Sequence, residues 1–211
     1  MKHLATLLSA LSIATTAAAA PTTVFSSKFD GSMPPQISPG TATLEGVQGY
    51  AGLGNGKNKF SGNFLRSEDA NVVTLTLTDL PTHGHLTIKF LFAAIDSLDG
   101  SGRQCPEGDY FMVKIDDRKI FRESFANATS DQTQSYDPPP GGELARRADL
   151  GFTEGGFYFD SAYDMRVEPK FQRIKHTAST AVITFVMDVL CFQPLDDESW
   201  AIDNLVVTAG W

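Results

Sequence analysis

The sequence predicts an all-β chain folded as a single antiparallel β-sandwich of jelly-roll type with a long loop excursion. Three observations carry this. Short runs alternate apolar and polar residues at the period of a strand, few stretches show a helical period, and 18 glycines punctuate a chain of 211 residues. No composition shift divides the chain and no internal repeat is visible, so one domain is expected.

The elements follow in order. Residues 1–20 begin with Lys2 and His3, continue through "LATLLSALSIATT" and end in "AAAA". A positive start, a short apolar stretch and a small-residue end describe a secretory signal peptide. The domain proper is then 21–211, and the expected location is secreted or extracellular. The apolar stretch is interrupted by Ser9, Ser12, Thr15 and Thr16 and falls short of the roughly 20 residues of a spanning helix, so no membrane span is expected.

Early strands are read in "TVFSSKF" and "TATLEGV". The glycine-rich "GYAGLGNGKNKFSGNF" fails as a phosphate loop, because Lys57 stands where a dinucleotide fingerprint needs its third glycine and Asn58 follows Gly56–Lys57 where a P-loop needs Ser or Thr. It reads as a loop between strands. In "VVTLTLTDL", Val73, Leu75 and Leu77 face inward and the threonines outward; "HLTIKFLFAAI" places Leu86, Ile88, Phe90 and Phe92 on one face. With "PTHG" between them, the two are expected to form a hairpin. "YFMVKIDDRKIFRESF" reads as another, turning near Asp117 and Arg118.

The interval from Asn127 to His176 is the excursion. "DPPPGG" is a polyproline-like loop, "ELARRADL" suggests one or two helical turns, and "FYFDSAYDM" is rich in aromatics. "AVITFVMDVLCF" and "WAIDNLVVT" then supply two β-branched and aromatic strands, with Trp200 read as core.

Charge narrows the function classes. With 25 acidic against 17 basic residues and a net charge of −8, the chain repels nucleic acid and anionic membrane and favours cations. Cys105 and Cys191 are its two cysteines, and in an exported chain they are expected to form one disulfide. Closing so long a loop stabilises by roughly 4 kcal/mol in the chain-entropy description. "NAT" at Asn127 is an acceptor for glycosylation in a host that glycosylates.

Acids gather in three stretches: Asp30 in "KFDGS"; Asp96, Asp99, Glu107 and Asp109 in "AIDSLDGSGRQCPEGDYF"; and Glu198 and Asp203 in "DDESWAIDN". A carboxylate beside a hydrophobic strand is costly unless neutralised. Calcium takes six to eight oxygens, which loops at one end of a sandwich can supply. Asp30, Asp96, Asp99, Glu198 and Asp203 are therefore the candidate metal ligands, and calcium is the expected cofactor. The competing reading makes Asp30 and Asp203 caps of strand-end N–H groups and "DSLDG" an ordinary acidic turn. His83 and His85 flank Gly84 without a third metal ligand, and His176 has no evident partner. No G-x-S-x-G elbow occurs, and acid pairs such as Asp160 with Asp164, or Glu154 with Asp160, are examples of glycosidase-like candidates. No catalytic residue is assigned.

"FDGSM", "GVQGYAGLG", "FLR", "LTLTDLP", "FLFAAIDSLDG", "DYFMVKIDDRKIF" and "ESWAIDNLVV" resemble, in this order, a group of largely uncharacterised secreted jelly-roll β-sandwich proteins of microbes. The ending is also similar to that of jelly-roll carbohydrate-binding modules and MAM-type adhesion domains, where an Ile-Asp-Asp/Asn motif enters the last strand. In those modules an acid after a first-strand aromatic and the last-strand Asp hold a structural calcium; the resemblance places these roles on Asp30 and Asp203. Leu98 stands where related sequences often carry Trp, which leaves Tyr50, Tyr136, Tyr158 and Tyr163 as candidate sugar platforms.

The resulting expectation is a secreted, non-catalytic binding or cell-surface module, calcium-dependent, with an extracellular glycan or cell-surface component as partner. The alternatives are a polysaccharide-active enzyme on a jelly-roll scaffold and a structural extracellular protein.

Overall fold

The computed structural model describes residues 20–101, 108–152 and 158–211. The strands are β1 (Thr22–Ser27), β2 (Ile37–Ser38), β3 (Thr43–Gly46), β4 (Gly54–Asn55), β5 (Asn58–Lys59), β6 (Asn63–Glu68), β7 (Val72–Leu77), β8 (His85–Asp96), β9 (Tyr110–Ile115), β10 (Arg118–Ser124), β11 (Glu143–Ala148), β12 (Asp160–Asp164), β13 (Ile174–Lys175), β14 (Ala181–Asp188) and β15 (Glu198–Gly210). The larger sheet runs β11-β12-β8-β15-β6-β3, with β1 added to β15 and β13 to β8; the smaller runs β10-β9-β14-β7-β2, and β4 pairs β5 apart from both. The chain is the expected all-β antiparallel sandwich.

Its main core lies between the sheets. Val73, Leu75 and Leu77 of β7 alternate inward as their spacing predicts, and meet Leu86, Ile88, Phe90 and Phe92 of β8 together with Phe111, Phe185 and Trp200. Phe92 and Phe111 approach to 4.3 Å between ring centroids, a contact that contributes about 0.5–1.5 kcal/mol beyond area burial.

The expected β7–β8 hairpin does not form. β7 pairs β14 and β2, whereas β8 crosses to the other sheet and pairs β15 and β12. Both faces of β8 explain the crossing. Its second face carries Leu91, Ala93 and Ile95 into another core with Tyr50, Phe60 and Phe64, covered by the 47–60 segment and β11. A strand buried on both sides belongs at the centre of a sheet rather than in a half-solvated hairpin. The β9–β10 hairpin forms as expected, with Asp116 and Asp117 at φ 48° and 63° in its two-residue turn, the left-handed pair such turns require.

"ELARRADL" is also corrected: residues 143–148 form β11, which extends the edge of the larger sheet by pairing β12. Leu144, Ala145 and Ala148 pack on the second core, and this tertiary contact overrides a weak helical preference. The excursion is real, but it carries strands.

The Ile202-Asp203-Asn204 motif proves to be a β-bulge. The β8–β15 register shifts between Asp203 and Val206, with Asn204 at φ 51°. Before the bulge Trp200 and Ile202 face the main core; after it Leu205, Val207 and Ala209 do. One extra residue thus resets the alternation so that both halves of β15 stay apolar inward. It also changes the neighbour, from β6 before the bulge to β1 after it.

Candidate metal centre

Four carboxylates meet at one end of the sandwich, each delivered by a different strand end. Asp69 follows β6, Asp99 lies past β8, Asp109 immediately precedes β9, and Glu198 opens β15. One oxygen from each of Asp99, Asp109 and Glu198 lies within 4.8 Å of the other two. Oxygens held about 2.4 Å from a calcium ion span up to this distance, so the three fit one coordination shell. Asp69 joins them through its side-chain contact with Glu198.

Neighbouring donors fix part of the cluster. Asp109 Oδ2 accepts the N–H groups of Asp99 and Gly100, Gln132 donates its amide to Asp99 Oδ1, and Gln193 Nε2 donates to Glu198 Oε1 at 2.7 Å. Both oxygens of Asp69 and Oε2 of Glu198 remain buried with no hydrogen-bond partner. The two side chains belong to residues only 1% and 0% exposed. Burial pushes the carboxyls of Glu198, Asp69 and Asp109 up, and for Glu198 the Asp69 contact and the Asp109 charge push further. Opposed acceptors of this kind need a shared proton or a cation between them.

Of the five residues proposed as ligands from sequence, the structure brings together Asp99 and Glu198 in this group and, separately, Asp30 and Asp203 near the bulge of β15. Asp96 pairs with Glu198 in the β8–β15 register but stands outside the group, with Arg66 Nη2 3.9 Å from its Oδ2. Burial, then the charge of Asp160, pushes its carboxyl up to about 7. Asp203 lies five residues further along β15, roughly 16 Å at strand rise. One ion cannot span that distance. Asp203 Oδ1 accepts from Asn204 N at 2.6 Å and its Oδ2 from Ser61 N at 3.3 Å, while Asp30 Oδ1 accepts from Asn63 N at 3.0 Å. Asp30 and Asp203 therefore act as caps of backbone donors. Asp109 was visible in sequence as an acid in the same loop as Asp99, and Asp69 was missed; its signal is "SED", a turn acid at the end of the strand that pairs with the start of β15.

The remaining candidates resolve as follows. Asn127 is fully buried, which leaves no room for a glycan on its amide nitrogen in this fold. Cys105, Glu107, Glu154 and most of the leader lie outside the described residues, and no free cysteine occurs among those described. Asp160 accepts from the backbone N–H groups of Asp96 and Leu150, and Asp164 is held by Arg166 and Asn55, so both acids are occupied structurally. His83 pairs with His176 rather than His85: their ring nitrogens are 2.8 Å apart, and His176 Nε2 is 3.0 Å from Asp116 Oδ2. Tyr50, Tyr136 and Tyr163 are buried and offer no platform. Tyr158 is partly exposed.

An open cleft lies over the carboxylates, with Ser97, Asp99, Gln132, Tyr158 and Gln193 in its lining. Asp99 belongs to both cleft and cluster. Gln132 and Gln193 are the amides that hold Asp99 and Glu198, so the order of the cluster sets the positions of the cleft wall.

No family model and no curated relative matches the chain. Among solved structures it is similar to the CBM22-1–CBM22-2 tandem domain of Paenibacillus barcinonensis Xyn10C, at 15% identity and TM-score 0.39 over 90% of this chain and 51% of that one. It is similar also to the Clostridium thermocellum xylanase Xyn10B CBM22-1–GH10 modules, at 9% identity and TM-score 0.34 over 89% and 28%. A third similarity, to the 4-O-methyl-α-glucuronidase BtGH115A, has 9% identity and TM-score 0.38 over 90% and 18%. The chain thus spans about half or less of each of these structures. Alignments this shallow establish neither a shared family nor a shared ligand.

Proposed function

We propose that the chain is a secreted, non-catalytic binding module in which Asp69, Asp99, Asp109 and Glu198 hold one calcium ion and the adjoining cleft takes an extracellular glycan. The observation that carries this reading is the set of buried, unpartnered oxygens on Asp69 and Glu198 facing the Asp99–Asp109 pair. Hard carboxylate oxygens from four strand ends suit a hard dication better than zinc or copper, which favour nitrogen and sulfur. The ion would neutralise the cluster and fix the strand ends that carry it. The glycan reading rests on the cleft's polar lining, with the Gln193 amide and the Ser97 hydroxyl beside the partly exposed Tyr158 ring, a mixture suited to a sugar's hydroxyls and its C–H face. Secretion rests on the leader-like residues 1–20.

The test is thermal unfolding of the non-reduced chain in calcium and in chelator, followed by glycan screening in both states. A ligand at 100 times its dissociation constant adds about 2.7 kcal/mol, which raises the midpoint by about 5–10 °C for a domain of this size. An unchanged midpoint removes the metal centre. Retained glycan binding after Tyr158→Ala and Gln193→Ala removes the cleft as its site.

A further inference from the structure

A basic pocket opens on the side of the larger sheet away from the main core, where β1, the β4–β5 hairpin and the bulge of β15 meet. Lys28, Lys57 and Arg166 line it, with Ser27, Asn58 and Asn204 between them. In a chain with a net charge of −8, Lys28 and Lys57 meet at a concavity with no acid in its lining, beside Arg166, whose charge Asp164 balances. The nearby carboxylates are already engaged. Asp164 takes Arg166 Nε at 2.8 Å and Asn55 Nδ2 at 3.2 Å, while Asp203 and Asp30 accept the backbone N–H groups of Asn204, Ser61 and Asn63. Asn58 adds a polar side chain to the wall, and its Nδ2, closed to solvent, has no hydrogen-bond partner.

We infer that this pocket binds an acidic monosaccharide unit of the uronate class. The cations match a carboxylate group. The Ser27 hydroxyl, the Asn58 amide and the Asn204 amide oxygen, whose own Nδ2 donates to Lys59 O, supply the neutral groups that a sugar ring needs and an inorganic anion does not. Val206 adds an apolar wall against which a ring can lie. The pocket shares no residue with the Asp69–Asp99–Asp109–Glu198 centre, so it stands whether or not that centre holds calcium.

The experiment is amide NMR of the folded chain, with chelator present and ionic strength matched, during separate additions of glucuronate, glucose and sodium sulfate. Glucuronate is expected to shift the side-chain amides of Asn58 and Asn204 saturably, and glucose to leave them in place. Lys57→Glu, in the exposed hairpin turn, is expected to weaken glucuronate at least tenfold, and Lys119→Glu, on exposed β10 away from the pocket, to leave it unchanged. Equal responses to glucose and glucuronate overturn the assignment. So does sulfate saturating the same amides as tightly as glucuronate, which makes this a site for inorganic anions, or a Lys57→Glu chain that binds as the parent does.

Discussion

Glu198 and Asp203 stand five residues apart on β15, both fully buried, and the chain neutralises them by opposite means. Asp203 sits at a bulge, where an irregular backbone frees N–H groups, and it is capped by Asn204 and Ser61. Glu198 sits where the strand begins in regular pairing with Asp96, and the backbone has no spare donor to offer. It faces Asp69 instead, acceptor against acceptor. For these two residues the difference is whether the local backbone has donors to give.

The largest expected effect tests this directly. Asp99→Ala combined with Glu198→Ala abolishes the calcium-induced rise of about 5–10 °C in the unfolding midpoint, whereas Asp203→Ala keeps it; a chain that loses the rise through Asp203 instead moves the ion to the bulge. Next in size, Asp203→Ala strands two backbone donors and costs about 1–3 kcal/mol, equally in calcium and in chelator, as denaturant titration measures.

A pH series sharpens the comparison. Burial raises the carboxyls of Asp96 and Asp203 to about 7, against roughly 3.9 in an unfolded chain. A group raised in this way contributes stability that is full below about pH 4 and is lost as pH climbs through 7. The metal-free midpoint therefore falls between pH 5 and pH 8. Asp203→Asn removes its own share of that fall, and calcium, if it binds the ionised cluster as proposed, flattens the share of Asp69, Asp109 and Glu198. The smallest effect belongs to Asp30→Asn. Asp30 is exposed, and the amide oxygen still accepts from Asn63, so a change within about 0.5 kcal/mol is expected.

Strand identity was legible wherever one face is wet, as in β7 and the β9–β10 hairpin, because alternation records that asymmetry. It failed for β8 as a hairpin partner, where burial on both faces erases the record past Phe90. It failed for β11 because Leu144 and Ala145 gain their partners only after the chain has folded back on itself. The site was half legible. Asp99 and Glu198 stood out as acids flanking apolar strands, but Asp69 is separated from Glu198 by 129 positions and meets it only because β6 pairs with β15. The spacing of Glu198 and Asp203 already excluded a shared ion, given the rise of an extended strand.

The central place of β15 in the larger sheet has a consequence for how the chain is made. β15 is the last of the strands in order, yet it is the neighbour of β8, β6 and β1 in the larger sheet. Until it emerges, β8 lacks its longest partner and β1 has no partner in the sheet at all. Contacts between the first and last strands carry the largest loop-closure entropy, which slows folding. A chain arranged this way cannot complete its larger sheet until β15, the last of the described strands, has been made.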